Sequence, residues 1–199
     1  MASTRNKAGG ADAIPDQILD AARALVLALG VRRTTATEIA RTAGISRMTL
    51  YRRFPDVQRI LAALLSRELA ALLETVRAEV GGGVSARQRL CAMALGVTRR
   101  LGVDPLFVRV LELDPELLLP YIIARTGASQ HNILAALRLG IEQGHVDGSI
   151  RTCDPELVAR AVLLTVQSFV LSARIIEHES DPEAALTELG LLLGRYLTP

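Results

Sequence analysis

The sequence predicts an all-α protein, and three observations carry that prediction. Half of the 199 residues are hydrophobic, yet only 3% are aromatic and none is Trp, so the core has to be built from Leu, Val, Ile and Ala. Ala, Leu and Arg lead the helix propensity scale, whereas strands favour aromatic and β-branched residues. Apolar residues also recur at three- and four-residue steps along most of the chain, the spacing of amphipathic helices. Finally, cap residues, Gly stops and Asp-Pro starts punctuate these segments at helical lengths. No convincing strand, internal repeat or low-complexity tract interrupts the pattern. The length suits one domain, or a small domain fused to a mid-sized one.

Taken in order, residues 1–13 are polar and rich in Gly and Ala, and read as a disordered tail. Pro15 suits the first turn of a helix, where its missing N–H costs nothing. Ile18, Leu19, Ala22, Leu25, Val26 and Leu29 then follow at helical spacing, and Gly30 supplies a stop. Thr35 and Glu38 form a capping box at the next start. Ile39, Ala40 and Ala43 share one face, and Gly44 ends that short helix. Ser46 caps a helix to about Arg53, and Asp56 caps a long one to about Val80. The run Gly81-Gly82-Gly83 reads as a hinge. Ser85 opens a helix to about Leu101, and Asp104-Pro105 and Asp114-Pro115 open two more, with a kink expected at Pro120. A helix from about Gly127 to Gln143, a polar loop over 144–153, an apolar helix from Pro155 to about Ile176 and a last one from Pro182 to about Leu197 complete the count at nine or ten.

Composition excludes several classes. The longest charge-free stretch in the apolar helices is residues 161–173, too short to span a bilayer. The first residues carry no apolar run of the kind a signal peptide needs. Cys91 and Cys153 fit no metal or redox spacing, and the three His, at 131, 145 and 178, lack metal-ligand spacing. No catalytic triad, paired-carboxylate or phosphate-loop pattern appears, so no catalytic residue, metal or cofactor is assigned. A cytoplasmic protein without a membrane partner is expected. The net charge of +2 is unevenly spread: residues 1–60 carry +5 and the remainder −3. A basic end on an acidic body is the footprint of a nucleic-acid-binding module beside a domain with another task. The alternative is a solvated charged face.

Residues 35–54 read as a helix-turn-helix. A small residue at Ala40 lets the second helix cross closely, and Gly44 tolerates the positive φ of a tight turn. Ile39, Ile45, Leu50 and Phe54 are expected to face inward. Arg47, Met48, Thr49, Tyr51 and Arg52 then share the outer face, a set unsuited to a core and suited to a DNA major groove. Ser46 adds helix-start N–H groups that can hold a phosphate. Arg47 has the fork to pair with a guanine and Met48 the thioether to pack on a thymine methyl. Tyr51, Arg52 and Thr35 suit phosphates, which position rather than specify. A surface helical hairpin in any all-α protein is the bland alternative.

The segment TTATEIARTAGISRMTLYRRF at 34–54 closely resembles the DNA-binding domain of TetR-family transcriptional regulators. The resemblance is specific over roughly residues 15–65 and looser beyond, where the loop GHVDGSIRTCDP at 144–155 also looks like a segment of this family. It implies a DNA-binding domain at 14–56 and a ligand-binding and dimerisation domain at 57–199. It implies that Tyr51 touches a phosphate, that Arg47, Met48 and Thr49 face bases or phosphates, and that Thr35 and Thr37 also meet DNA. Two departures stand out: Val57 occupies a position where Lys is common, and Arg53 one where His or Tyr is frequent, adding a charge near the DNA backbone.

In the second domain, residues 155–176 and 182–197 are too apolar for solvent and suit a four-helix homodimer interface, with Gly190 and Gly194 allowing close approach. Completing the monomer core is the alternative. Met93, Phe107, Tyr121, His131 and Gln167 are candidate effector contacts among aliphatic neighbours, although each also suits ordinary core or surface. The expected function is a ligand-responsive regulator, a repressor binding a palindromic double-stranded DNA operator as a homodimer and released by a small hydrophobic effector. A helical-bundle adaptor or small-molecule-binding protein without sequence-specific DNA binding is the alternative.

Overall fold

The computed structural model describes residues 9–81, 85–113 and 128–199, and these form ten helices with no strand. They are α1 (Gly9–Leu29), α2 (Ala36–Thr42), α3 (Arg47–Arg53), α4 (Val57–Glu79), α5 (Ala86–Val103), α6 (Pro105–Leu113), α7 (Ala128–Val146), α8 (Pro155–Leu171), α9 (Ala173–Glu179) and α10 (Pro182–Leu197). The chain divides into two compact units: Met1–Leu69 with Arg109–Pro115, and Ala70–Val108 with Glu116–Pro199. The expected tail ended at residue 13, whereas α1 begins at Gly9 and places Pro15 inside the helix. A proline this close to the start removes only one intrahelical bond, so the first turns still form. The helix expected after Asp114, its kink at Pro120, and most of the Gly run at 81–83 lie outside the described residues.

The first unit is held by fully buried aliphatics from four helices: Ile18, Ala22 and Val26 of α1, Ile39 of α2, Leu50 of α3, and Ile60 and Leu64 of α4. The boundary drawn from sequence fell at residue 56. The compact unit continues to Leu69 because Ile60, Leu61, Leu64 and Leu65 are part of this buried set. Arg67 of α4 meets Asp20 at 2.8 Å and Asp16 at 3.6 Å on α1, and Arg23 of α1 meets Glu68 at 3.0 Å. These pairs fix α1 against the middle of α4.

The second unit is built around a cluster to which α5 gives Leu90 and Ala94, α7 gives Leu134 and Ile141, α8 gives Val158, Ala159, Val162 and Leu163, and α10 gives Leu189, Leu193 and Leu197. Gly96 of α5 packs against Val76 of α4 so closely that a Cβ there would lie 2.6 Å from Val76 Cγ1. A Cβ on Gly190 would meet Leu95 of α5 at 3.3 Å, but one on Gly194 would meet nothing, so only the first of that pair serves close approach within the chain.

Helix α7 runs three residues past its expected end, and the loop that follows caps two other helices. Asp147 Oδ2 accepts the Ala86 N–H at 2.8 Å and Ser149 Oγ accepts the Arg87 N–H at 3.1 Å, closing the start of α5. Arg87 donates to the Gly194 carbonyl at 3.2 Å, and Arg151 Nε to the Tyr196 carbonyl at 2.8 Å, closing the end of α10. The guanidinium of Arg151 also lies 4.7 Å from the centre of the Tyr196 ring. The helix expected to run unbroken to Ile176 instead bends by 54° at Ser172, between α8 and α9. No residue of α9 is fully buried, although Ala173 and Ile176 are half-buried. Among the described residues no single helix is long and apolar enough to cross a membrane.

Candidate nucleic-acid interface

Local chemistry shapes the helix-turn-helix. Thr35 Oγ1 accepts the Glu38 N–H at 3.2 Å, which caps α2. The reciprocal half of the expected capping box is missing. Glu38 instead accepts from Arg41 Nη2 at 2.7 Å, a charge-assisted bond that a neutral backbone amide does not match. The hydrogen bond, with the nearby carboxylate charge, raises the Arg41 pKa above its ordinary value. A reciprocal box does form later in the chain, between Ser85 and Gln88 at the start of α5.

In the turn, Gly44 takes φ +66°, and Ile45 donates to the Ala40 carbonyl at 3.0 Å. Ala40 is buried, as a close crossing requires. Ser46 Oγ accepts the Thr49 N–H at 3.1 Å and lies 2.9 Å from Thr49 Oγ1. Ile39 and Leu50 are fully buried, whereas Ile45 and Phe54 are only half-buried, since both stand at the ends of the turn and helix rather than under them.

The outer face of α3 is open. Met48 is 78% exposed and Tyr51 42%, although both carry large apolar surface. Arg47, Arg52 and Arg53 are exposed with them, and Thr49 is half-buried. Thr35, Thr37 and Ser46 are exposed at the starts of α2 and α3. Arg47 lies with its guanidinium carbon 5.9 Å from the centre of the Tyr51 ring. Val57 is half-buried at the start of α4, where Asp56 Oδ1 takes the Arg59 N–H at 2.7 Å. Thus all nine residues picked from sequence lie on or beside α3 and the start of α2, and they surround cationic, hydroxyl and thioether groups of the kind that read a groove.

Residues 18–64 match the family profile described as bacterial regulatory proteins, tetR family. The chain is 36% identical over 197 residues to the uncharacterised HTH-type transcriptional regulator Rv2250c of Mycobacterium tuberculosis, covering 99% of this chain and 98% of that one. The chain belongs to the TetR family of bacterial regulatory proteins. This TetR-family member is thus a transcriptional regulator and not an enzyme. It is also 45% identical over 51 residues to the regulator YvkB of Bacillus subtilis, over 26% of this chain and 27% of that one. Two of the solved structures that share its fold are FadR regulators. The fatty acid degradation regulator FadR of Bacillus halodurans has a TM-score of 0.68 at 19% identity, covering 96% of both chains. FadR of Bacillus subtilis, in complex with stearoyl-CoA, has a TM-score of 0.66 at 19% identity, covering 92% of this chain and 98% of that one.

The effector candidates of this TetR-family regulator are scattered by comparison. Met93 and Gln167 are half-buried on α5 and α8, Phe107 is buried on α6, and Tyr121 lies outside the described residues. His131 is exposed on α7, at an open cleft of about 280 Å³ lined also by Leu134, Ala135, Arg138, Glu156 and Arg160. None of the other described candidates lines that cleft. One contact had no signature in sequence spacing: His145 Nε2 lies 3.3 Å from Cys153 Sγ, the α7 end and the following loop having folded back on each other. Burial pushes the Cys91 thiol pKa up, with Arg87 opposing.

Proposed function

We propose that this chain is a ligand-responsive repressor that binds a palindromic operator as a homodimer and releases it when a small hydrophobic effector binds. The observation that carries the reading is the outer face of α3, where a thioether 78% exposed stands among arginines and a phenol. Solvent gives no reason to keep that set together, and a major groove does. Arg47 pairs with a guanine and Met48 packs on a thymine methyl. Thr49, Tyr51, Arg52 and Arg53, with Thr35, Thr37 and Ser46 at the helix starts, meet phosphates and hold the register.

The homodimer reading rests on α8 and α10. Leu157 and Leu164, seven residues apart on α8, are 64% and 55% exposed, and Leu171 continues the row. Leu191, Leu192 and Tyr196 are exposed on α10. Pairing residues 155–176 and 182–197 with a second copy would remove this surface from water and join two copies of α3 in one assembly, as a palindrome requires. The effector reading rests on the aliphatic composition of residues 57–199 and on Met93, Phe107, Tyr121, His131 and Gln167. The same fold in Bacillus subtilis FadR, solved with stearoyl-CoA, supports a hydrophobic class. The switch requires an effector that prefers the DNA-incompetent state. Helix α4 is one continuous 23-residue helix that begins in the first unit and ends in the second, and is the element proposed to carry the change.

Titrating the purified chain into fluorescent duplex from the region upstream of its own coding sequence tests the reading. Saturable binding that falls steeply with salt and survives excess unrelated duplex is expected. Absence of any sequence preference at physiological salt overturns it and leaves the adaptor reading.

A further inference from the structure

We infer that Tyr51 is a positioning residue for Arg47: its ring fixes the plane of the guanidinium that reads a base, so Tyr51 sets sequence specificity through the ring while its hydroxyl serves a phosphate. The inference rests on the DNA-reading role proposed above for α3. Arg47 and Tyr51 are four residues apart on α3, which makes their side chains neighbours on one face. The guanidinium carbon stands 5.9 Å from the ring centre, within the reach of a cation–π contact. The helix beneath them is fixed by the fully buried Leu50 and by the Ser46 cap. The pair itself is exposed, where an arginine otherwise samples many rotamers.

The kind of partner matters. Arg41, one helix earlier, is bonded to the carboxylate of Glu38, which orients it and offsets its charge. An aromatic face orients a guanidinium without neutralising it. It also leaves the donors free: a ring that engages the flat face spares the N–H groups, which lie in the plane and point outward from its edge. Two of those donors are what guanine O6 and N7 require. The ring therefore restricts Arg47 to planes in which the fork is presented, at no loss of hydrogen-bonding capacity. A phenol bound to a phosphate by its hydroxyl would in turn fix the ring relative to the duplex, so that base reading and backbone docking share one side chain.

The test uses the full chain and a selection from a random duplex library. The selected duplex and versions changed at each G·C pair are then titrated against wild type, R47A, Y51F, Y51L and the double variant R47A/Y51L. R47A is expected to erase the preference at one G·C pair per half-site. Y51L should cut discrimination at that same pair roughly two- to five-fold and leave other positions unchanged. Y51F, which keeps the ring, should weaken all duplexes alike and keep the discrimination. The double variant should discriminate no less at that pair than R47A. Thermal melts confirm that Y51L is folded, and Y51Q repeats the comparison if leucine perturbs folding. Unchanged discrimination in Y51L, or an equal loss at every position, overturns the inference. A wild-type chain that enriches no sequence overturns the DNA-reading role itself, an outcome distinct from either.

Discussion

Gly44 sits at φ +66° with open space where a Cβ would stand, so backbone conformation alone reserves the position for glycine. G44A is expected to destabilise the fold by about 1–2 kcal/mol, the cost of a left-handed conformation for an L-residue. Urea unfolding measures it, and an unchanged midpoint would count against the positive φ. Val57 poses a different question at the same scale. It is half-buried at the start of α4, just beyond the basic face, where an ammonium on a long stem could reach the duplex backbone. V57K should tighten DNA binding at low salt and steepen the log–log salt dependence by about 0.9, the value of one phosphate contact. A slope equal to wild type places no phosphate there. Such residue-scale features were legible early because they depend on φ, charge and a few neighbours in sequence.

At the scale of elements, helix ends carry the unexpected polar chemistry. The start of α5 is closed by its own Ser85–Gln88 box and also by Asp147, which lies 61 residues on from Ala86. The hydrogen bond from the Ser149 side chain, followed by the Ala86 N–H, holds the Asp147 pKa below the ordinary carboxylate range. A carboxyl whose pKa is lower in the folded state stabilises the fold above its unfolded value of about 4. That contribution is lost as pH falls through the lowered folded value. D147N should therefore be less stable than wild type at neutral pH, and the two melting curves should converge in acid. A gap of constant size across the range would assign the loss to packing instead. Sequence pattern located α5, but nothing near Ser85 signals that a carboxylate from another loop completes its cap. The 54° bend at Ser172 was likewise not legible, because the apolar pattern continues through it.

For the whole molecule, assembly depends on which apolar faces are left uncovered. The core of the second unit draws on α5, α7, α8 and α10, so α8 and α10 are already used on one side. Their other sides still show Leu157, Leu164, Leu191 and Leu192. L164E alters a side chain 55% exposed in the single chain and should leave thermal stability of that chain little changed. It should, however, shift sedimentation from dimer to monomer and abolish operator affinity, since a palindrome is read by two heads together. A dimer that survives L164E places the interface elsewhere. The basic helix-turn-helix and this apolar pair of helices are the two features that a regulator of this kind needs, and they sit at opposite ends of the sequence.

By itself the sequence determined the all-helical class and most of the capped helix starts, because periodicity and capping act within a few residues of one another. Tertiary structure decided what depends on contacts between segments distant in the chain. It set Asp147 and Ser149 on the start of α5 and brought Arg151 to the end of α10. In each case the partners stand 45 or more residues apart, so no local pattern pairs them and only the packed unit brings them within reach.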